Sequence, residues 1–384
     1  MSQMRFAEIS LPAVKHNVRR IIEKSGGATL IAVVKANGYG HGAVTVAEAA
    51  LDAGASIIGV ADLTEAFNLR KGGIESPILS WLHGKGVDFA KALHQNISLG
   101  VSRLDQLEEI AAAAKETGHQ ATIHLKLDTG LSRGGLEPDV WLTAFARSRE
   151  LQNEGLICVQ GIFSHLSNAG EEEDLKQANN FDKAVALAAG KGIKPEMIHL
   201  ASSAATFGPE YLHYNTVRVG LSIYGLSPFE GVPSAELGLQ PAMTLKAEVL
   251  AVRTIEPKIG VSYNYIYRAE HKTRLALIPI GYADGMPRTL NQDEMTVLVR
   301  GVRCKIVGRI AMDQCVIDLT PLGEEAHDIG VGEEVTLFGD PSTGAPAIEE
   351  WAERMQTINY EIVARLGPRI KRININSGQE KNGG

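Results

Sequence analysis

Eight short apolar runs, separated by stretches of helical periodicity, fill about the first 230 of 384 residues and constrain the fold more than any other feature. They begin at Thr29 (TLIAVVKA), Ser56 (SIIGVAD), Pro77 (PILSW), Ile97 (ISLGVS), Thr122 (TIHLKLDT), Leu156 (LICVQGIFSH), Met197 (MIHLAS) and Thr216 (TVRVGLSIYG). Their Val, Ile and Leu residues do not alternate strictly with polar ones. That is the pattern of strands covered on both faces, as in a parallel sheet. Segments such as HGAVTVAEAALDAG, SRLDQLEEIAAAAKETG and EDLKQANNFDKAVALAAGKG lie between them, and several end in Gly, a helix-stop signal. Strand and helix alternating in this way predict a (β/α)8 barrel.

The pattern changes after a Gly- and Pro-containing stretch, Phe229 to Met243, which reads as a linker. Closely spaced runs rich in Val, Ile and Thr follow: TLKAEVLAVRTI, RLALIPIGYA, MTVLVRGVRCKIVGRIAMDQCVIDL and EEVTLFG. These predict an antiparallel, mostly β domain with one late amphipathic helix over IEEWAERMQTINYEIVARL. The expected fold class is therefore α/β, an N-terminal (β/α)8 barrel over residues 1–236 followed by a mostly β C-terminal domain over 237–384. The tail GQEKNGG is expected to be disordered.

Composition excludes several roles. The 38 basic and 45 acidic residues leave a net charge of −7, unlike the basic face of a nucleic-acid-binding protein. No apolar run approaches the roughly 20 residues of a membrane-spanning helix. MSQMRFAEIS lacks the apolar core and cleavage site of a signal peptide, so a cytoplasmic protein is expected. Cys158, Cys304 and Cys315 are odd in number and widely spaced, which argues against disulfides and against a zinc site; no metal is expected.

In a barrel of this kind, polar residues at the C-terminal ends of the strands face the functional rim. The first run ends in AVVKANGYGHG, placing Lys35 there with Tyr39 just beyond. A lysine desolvated at such a position loses basicity and becomes a usable nucleophile. The competing reading is a surface lysine before a Gly-rich turn, and for this motif alone that reading is preferred. The other strand ends shift the balance. They carry Lys126, Asp128 and Arg133, then His165, then His199 with Ser202 and Ser203, then Arg218, Gly220 and Tyr224. Each has a plain structural explanation singly: His165 as a satisfied core histidine, Asp128 as a helix cap. Their convergence on one rim, with Ser202-Ser203 before a helix and Gly220-Leu221 after the last strand, suits a phosphate cradle beside a lysine. Together these suggest pyridoxal phosphate (PLP).

The motifs AVVKANGYGHG, LKLDTGLSR, FSHL, HLASSAAT and VRVGLSIYG, followed by GVSYN, IGYADGMPR and GRIAMDQ, closely resemble the alanine racemase family. They keep the family's order and span nearly the whole chain. The resemblance implies a PLP-dependent interconversion of L- and D-alanine, supplying D-alanine for peptidoglycan. It also implies a head-to-tail homodimer in which the partner's C-terminal domain completes each active site. Lys35 would carry PLP and act as one base, and Tyr263, from the other subunit, as the second. Tyr39, Ser203, Gly220 and Leu221 match phosphate contacts. Arg218 matches the arginine facing the pyridine nitrogen, with His199 behind it. Arg133 and Met312 match contacts to the substrate carboxylate, and His165 a partner of Tyr263. Lys126 matches a lysine often carbamylated to position the arginine. Tyr282 and Arg288 match residues of the entrance, Asp313 belongs to the Met312 motif, and Tyr360 is placed with the cofactor contacts.

Three positions depart from the family pattern. Pro368 stands where some members have a tyrosine that narrows the entrance. Ala311 replaces a frequent cysteine, and Asn264 a frequent glycine after the catalytic tyrosine. A racemase of broader specificity, a related PLP decarboxylase and a non-catalytic PLP-binding barrel remain as rival readings. Arg218 argues against the decarboxylase, and the complete second domain argues against the bare barrel.

Overall fold

The computed structural model describes residues 4–289 and 295–376. The predicted tail, GQEKNGG, lies outside them. The first strand, β1 (Arg5–Ser10), leads directly into a helix, Leu11–Lys24, started by the Ser10 side chain and by Pro12 in its first turn. Eight parallel strands then close a barrel: β2 (Thr29–Val33), β3 (Ile57–Val60), β4 (Ile78–Ser80), β5 (Ile97–Val101), β6 (Ala121–Lys126), β7 (Ile157–Phe163), β8 (Met197–His199) and β9 (Thr216–Val219). Closure is completed by β2 pairing with β9, Ile31 opposite Arg218. The expected fold class is what the structure contains.

The barrel lumen shows why glycine interrupts otherwise apolar strands. A Cβ on Gly100 of β5 would lie 2.7 Å from the Trp81 Cβ, and one on Gly161 of β7 would enter the His124 ring. These absent side chains make room for an indole and an imidazole inside the barrel. The register between β6 and β7 slips at this point, Ile123 pairing with Val159 but His124 with Gly161, so that Gln160 is the extra residue of a bulge.

The second domain is a nine-stranded sheet in the order Ala251–Ile255, Thr273–Ile278, Cys315–Asp318, Val302–Val307, Thr296–Val299, Glu334–Phe338, Met243–Glu248, β1 and Lys371–Ile375. Two of its strands were not legible in sequence. β1 precedes the barrel in the chain, yet pairs antiparallel with Met243–Glu248 and parallel with Lys371–Ile375. The predicted linker holds a short 3-10 turn, Ser234–Leu237.

The single late helix expected from sequence is two. Ile348–Arg354 ends where Gln356 turns left-handed (φ 52°), and Asn359–Ala364 begins after extended Ile358. The break turns the second helix onto the barrel: a Cβ on Gly40 would meet the Val363 carbonyl, so chain beyond β2 and this helix touch backbone to backbone. Among the described residues no helix is long and apolar enough to cross a membrane.

Candidate active site

The chain leaves β2 through Lys35 and enters an unusual turn. Ala36, Asn37, Gly38, Tyr39 and Gly40 have φ of 52, 53, 63, 51 and 81°, one turn of left-handed helix. Each non-glycine residue in that conformation costs roughly 1–2 kcal/mol, so surrounding contacts must hold it. Tyr39 is buried, its ring 5.0 Å from that of Tyr224 and 6.3 Å from that of Tyr360. The Asn37 carboxamide accepts from the Ala43 N–H at 3.1 Å, and Tyr224 donates to the Val33 carbonyl at 3.0 Å.

Lys35 is half-buried, and its Nζ lies 5.8 Å from the centroid of the Tyr39 ring. Burial, then the guanidinium groups of Arg133 and Arg218, hold its pKa below the ordinary lysine value, while Glu65 opposes them. Lys126, at the end of β6, is lowered by burial and by the same two arginines against Asp128. Arg133 is exposed on the loop that follows. Asp128, one candidate helix cap, instead accepts from Gly130 N–H at 3.0 Å and Ser132 N–H at 3.1 Å, folding the loop that carries Arg133.

Arg218 is buried and organises the rim. Its guanidinium donates to His199 Nδ1 at 3.0 Å, to His165 Nδ1 at 3.0 Å and to the Ser164 carbonyl at 2.9 Å. Since arginine is only a donor, the two Nδ1 atoms accept, which puts the ring protons of the neutral histidines on Nε2. His199 Nε2 then donates to His124 Nδ1 at 2.9 Å, and His124 Nε2 to the Gln160 side-chain oxygen at 3.2 Å. Every bond in the chain points away from the guanidinium charge. Burial depresses His124 to about 4, and burial with the nearby cations, Arg218 first, takes His165 to about 3. His199 falls well below its ordinary value through burial, His124 and Arg218. Burial also brings Arg218 down to about 10, so it stays a cation at neutral pH beside neutral imidazoles. Phe163 stacks on His199 at 4.8 Å and lies under the guanidinium.

Ser203 opens a short helical turn, Ser203–Thr206, and its Oγ accepts from the Ser222 N–H at 3.4 Å. Gly220 precedes buried Leu221, and a Cβ there would overlap the Tyr39 hydroxyl. The Tyr39 hydroxyl, the Ser203 hydroxyl and the Gly220-Leu221 backbone therefore converge. Burial, chiefly, raises the Tyr39 pKa, which keeps its phenol proton available for donation.

This donor set fits PLP. A tight, side-chain-free approach beside two hydroxyls suits a phosphate. A desolvated amine suits an aldehyde, and a buried guanidinium whose neighbours are neutral rings suits a pyridine nitrogen. Sequence reading missed His124, Gln160 and Glu65. His124 could have been found, since it lies two residues before Lys126 on one strand and so on the same face.

The remaining candidates lie on the second domain. Tyr263 is 67% exposed, Met312 53% and Tyr282 40%. Tyr263 sits on a strained loop between Ser262 (φ 58°) and Asn264 (φ 62°), with Ser262 Oγ donating to the Arg309 carbonyl at 2.5 Å. Asn264 thus adopts the left-handed region, which asparagine enters more readily than most residues. Tyr263 lines a groove of about 390 Å³ whose walls, among them Ser262, Ala311 and Gln314, all come from the second domain. Gly281 packs against the Met312 loop, where Tyr282 N–H donates to Ala311 O at 3.1 Å and Ala283 N–H to Met312 O at 3.0 Å. Asp313 pairs with Arg369 at 2.6 Å, and Arg369 with buried Asp284 at 2.9 Å. Arg288 is exposed beyond buried Met286 and Pro287, and Pro368 is exposed immediately before Arg369. The structure thus brings Lys35, Tyr39, Lys126, Arg133, His165, His199, Ser203, Arg218, Gly220 and Leu221 to one rim, with Tyr360 packed beside Tyr39. It gathers Tyr263, Tyr282, Met312 and Asp313 on the other domain.

Two family models match the chain, the alanine racemase N-terminal domain over residues 9–228 and the alanine racemase C-terminal domain over 242–374. The alanine racemase of Mycolicibacterium smegmatis is 43% identical over 377 residues, covering 97% of this chain and 95% of that protein. The alanine racemase of Thermobifida fusca is 40% identical over 376 residues, covering 97% and 98%. The crystal structure of alanine racemase from Streptomyces lavendulae, a D-cycloserine producer, superposes with a TM-score of 0.93 at 40% identity, covering 98% of both chains.

Proposed function

The chain belongs to the alanine racemase family, and from that premise we propose that it interconverts L- and D-alanine on PLP held by Lys35. The D-alanine formed would serve peptidoglycan synthesis. The observation that carries this reading is Lys35 itself: an amine desolvated at a barrel rim, between two guanidinium groups that favour its neutral form. When bound, PLP supplies the electron sink that acidifies the alanine Cα–H. The chain's own residues do the rest.

Racemisation needs a proton removed from one face of Cα and another delivered to the opposite face. Lys35 Nζ handles one face and Tyr263 Oη of a second subunit the other. Arg133 and the Met312 backbone hold the substrate carboxylate. Tyr39, Ser203, Gly220 and Leu221 hold the phosphate, and Tyr360 backs Tyr39. His165, with Nδ1 engaged by Arg218, presents an Nε2–H to position the incoming tyrosine. Lys126 orients Arg133, while Tyr282, Arg288 and Asp313 shape the entrance. Arg218, still a cation at neutral pH, would face the pyridine nitrogen of bound PLP as a donor and disfavour its protonation, which would favour return of the proton to Cα over other outcomes.

A homodimer is part of the proposal. The exposed Tyr263 lies beside exposed Ile259, Tyr265 and Ile266, an apolar edge suited to a second copy. Of the expected units, residues 1–236 without β1, which joins the second domain's sheet, then act as the cofactor-holding barrel, and 237–384 complete the partner's site while Tyr360 backs Tyr39 of its own chain.

Mixing Lys35→Ala and Tyr263→Phe proteins tests the shared site. Each alone should be nearly inactive. After subunit exchange, half of the dimers are mixed and each mixed dimer contains one intact site, so about a quarter of wild-type racemisation should return. No recovery despite demonstrated exchange refutes the assignment of Tyr263 across the interface. Failure of the wild-type protein to racemise alanine with PLP refutes the reading as a whole.

A further inference from the structure

Resting on the reading of Lys35 as the PLP-bearing lysine, we propose that Glu65 is its positioning residue, anchoring the left-handed turn that follows Lys35 and setting a negative charge against the amine.

The left-handed turn is held by several local bonds. Gly38 N–H donates to Val34 O at 2.8 Å, and Gly42 N–H to Asn37 O at 2.8 Å. Its far end is wedged by the Tyr39 ring packing and by Gly40 against the Val363 carbonyl. The near end, beside Lys35, is held from outside. Ala36 N–H donates to Glu65 Oε1 at 2.6 Å. The second carboxylate oxygen, Oε2, accepts from Ala61 N–H at 2.8 Å, just beyond β3. One side chain thus ties together the C-terminal ends of two neighbouring barrel strands, and both of its oxygens are engaged. Glu65 is itself fixed, because Asp62 Oδ1 accepts from its backbone N–H at 3.0 Å at the start of the helix Leu63–Lys71.

A carboxylate accepting two backbone N–H groups makes charge-assisted bonds, the stronger class. An Ala36 N–H without that partner would leave the strained turn free to relax at the residue next to Lys35. The charge has its own consequence. Arg133 and Arg218 face the amine as cations, with Lys126 and His165 on the same rim and the Tyr39 ring beside it. Glu65 acts in the opposite sense and favours the protonated amine. Its field also reaches Tyr39 and Tyr224, the two rings packed next to the turn.

Full-length protein stripped of PLP, then given PLP across a pH series, tests both parts. Attachment is read by visible absorbance and by reductive trapping on Lys35. Glu65→Gln removes the charge, so the pH midpoint of attachment should move to lower pH. Glu65→Ala should show the same acid shift and bind PLP at least tenfold more weakly, because Ala36 and Ala61 both lose their acceptor. Should Glu65→Ala fail to fold by circular dichroism, the Glu65→Gln midpoint still decides. An unchanged midpoint in Glu65→Gln, or wild-type affinity in folded Glu65→Ala, overturns the inference. If wild-type protein does not trap PLP on Lys35, the underlying reading fails instead, and the two failures are told apart by that control.

Discussion

The buried imidazoles make a strong, checkable demand on the protein in mild acid. His41, His83, His124 and His199 are between 0 and 8% exposed. Burial first of all lowers the first three to about 4, and burial also holds His199 well below its ordinary value. In the unfolded chain a histidine titrates near 6.5. The unfolded state therefore binds more protons than the folded one between about pH 4 and pH 6.5. Stability rises with pH across that window and is lost as pH falls through it. At pH 5.5 an unfolded histidine is about 90% protonated, so four rings withhold roughly 3.6 protons; at pH 7 the figure is about one. Integrated between those two values, the loss is about 1.2 kcal/mol per ring and ~5 kcal/mol for four. That is comparable to the whole stability of many domains, roughly 5–15 kcal/mol. Proton uptake on guanidinium unfolding, followed by an indicator dye in weak buffer, measures the effect without assuming a two-state transition. With His165, held at about 3, counted as a fifth ring, uptake should rise from about 1.2 to about 4.4 protons per chain between pH 7 and 5.5, and His124→Gln should remove about 0.9 of them at pH 5.5. Uptake that stays near one at pH 5.5 would refute the neutral, buried histidine chain.

Two other substitutions probe the rim. Gly220→Ala would place a Cβ 2.8 Å from Tyr39 Cζ, against a ring already wedged by Tyr224 and Tyr360. Overpacking of that kind costs about 1–3 kcal/mol, so PLP titration should show binding weakened by about tenfold to a hundredfold, and wild-type affinity would contradict the cradle. Arg218→Glu should raise the yield of transamination products relative to racemised alanine, since an acidic partner would favour protonation of the pyridine nitrogen. Unchanged partitioning would sink the role given to the arginine's charge.

The barrel was legible because each strand carries its own signal. All eight apolar runs became strands β2 to β9. β1 was not legible, since RFAEIS is short and its partners, Met243–Glu248 and Lys371–Ile375, lie hundreds of residues away in the chain. The late helix was misread because its hydrophobic spacing continues through Gln356, whose left-handed backbone carries no mark in the side-chain pattern. At the site, Lys35 and Arg218 were legible from strand-end position and motif. His124, Gln160 and Glu65 were not. Gln160 enters the network through a register slip, and Glu65 acts through backbone N–H groups of a turn whose handedness the sequence does not spell out.

That difference follows from what each group must do. A residue that meets a ligand has to stand at a fixed place on a strand end, and a motif records it. A residue that holds the backbone in an unfavourable conformation can come from any element that reaches, as Glu65 does from the helix after β3 and Val363 from the second domain. The left-handed turn beyond Lys35 is therefore gripped from two independent parts of the fold. Its near end depends on the barrel, and its far end on the helix Asn359–Ala364, whose separate existence rests on the break at Gln356. In this chain the second domain bears on the lysine of its own barrel through backbone packing, while its tyrosine, Tyr263, stands exposed to solvent.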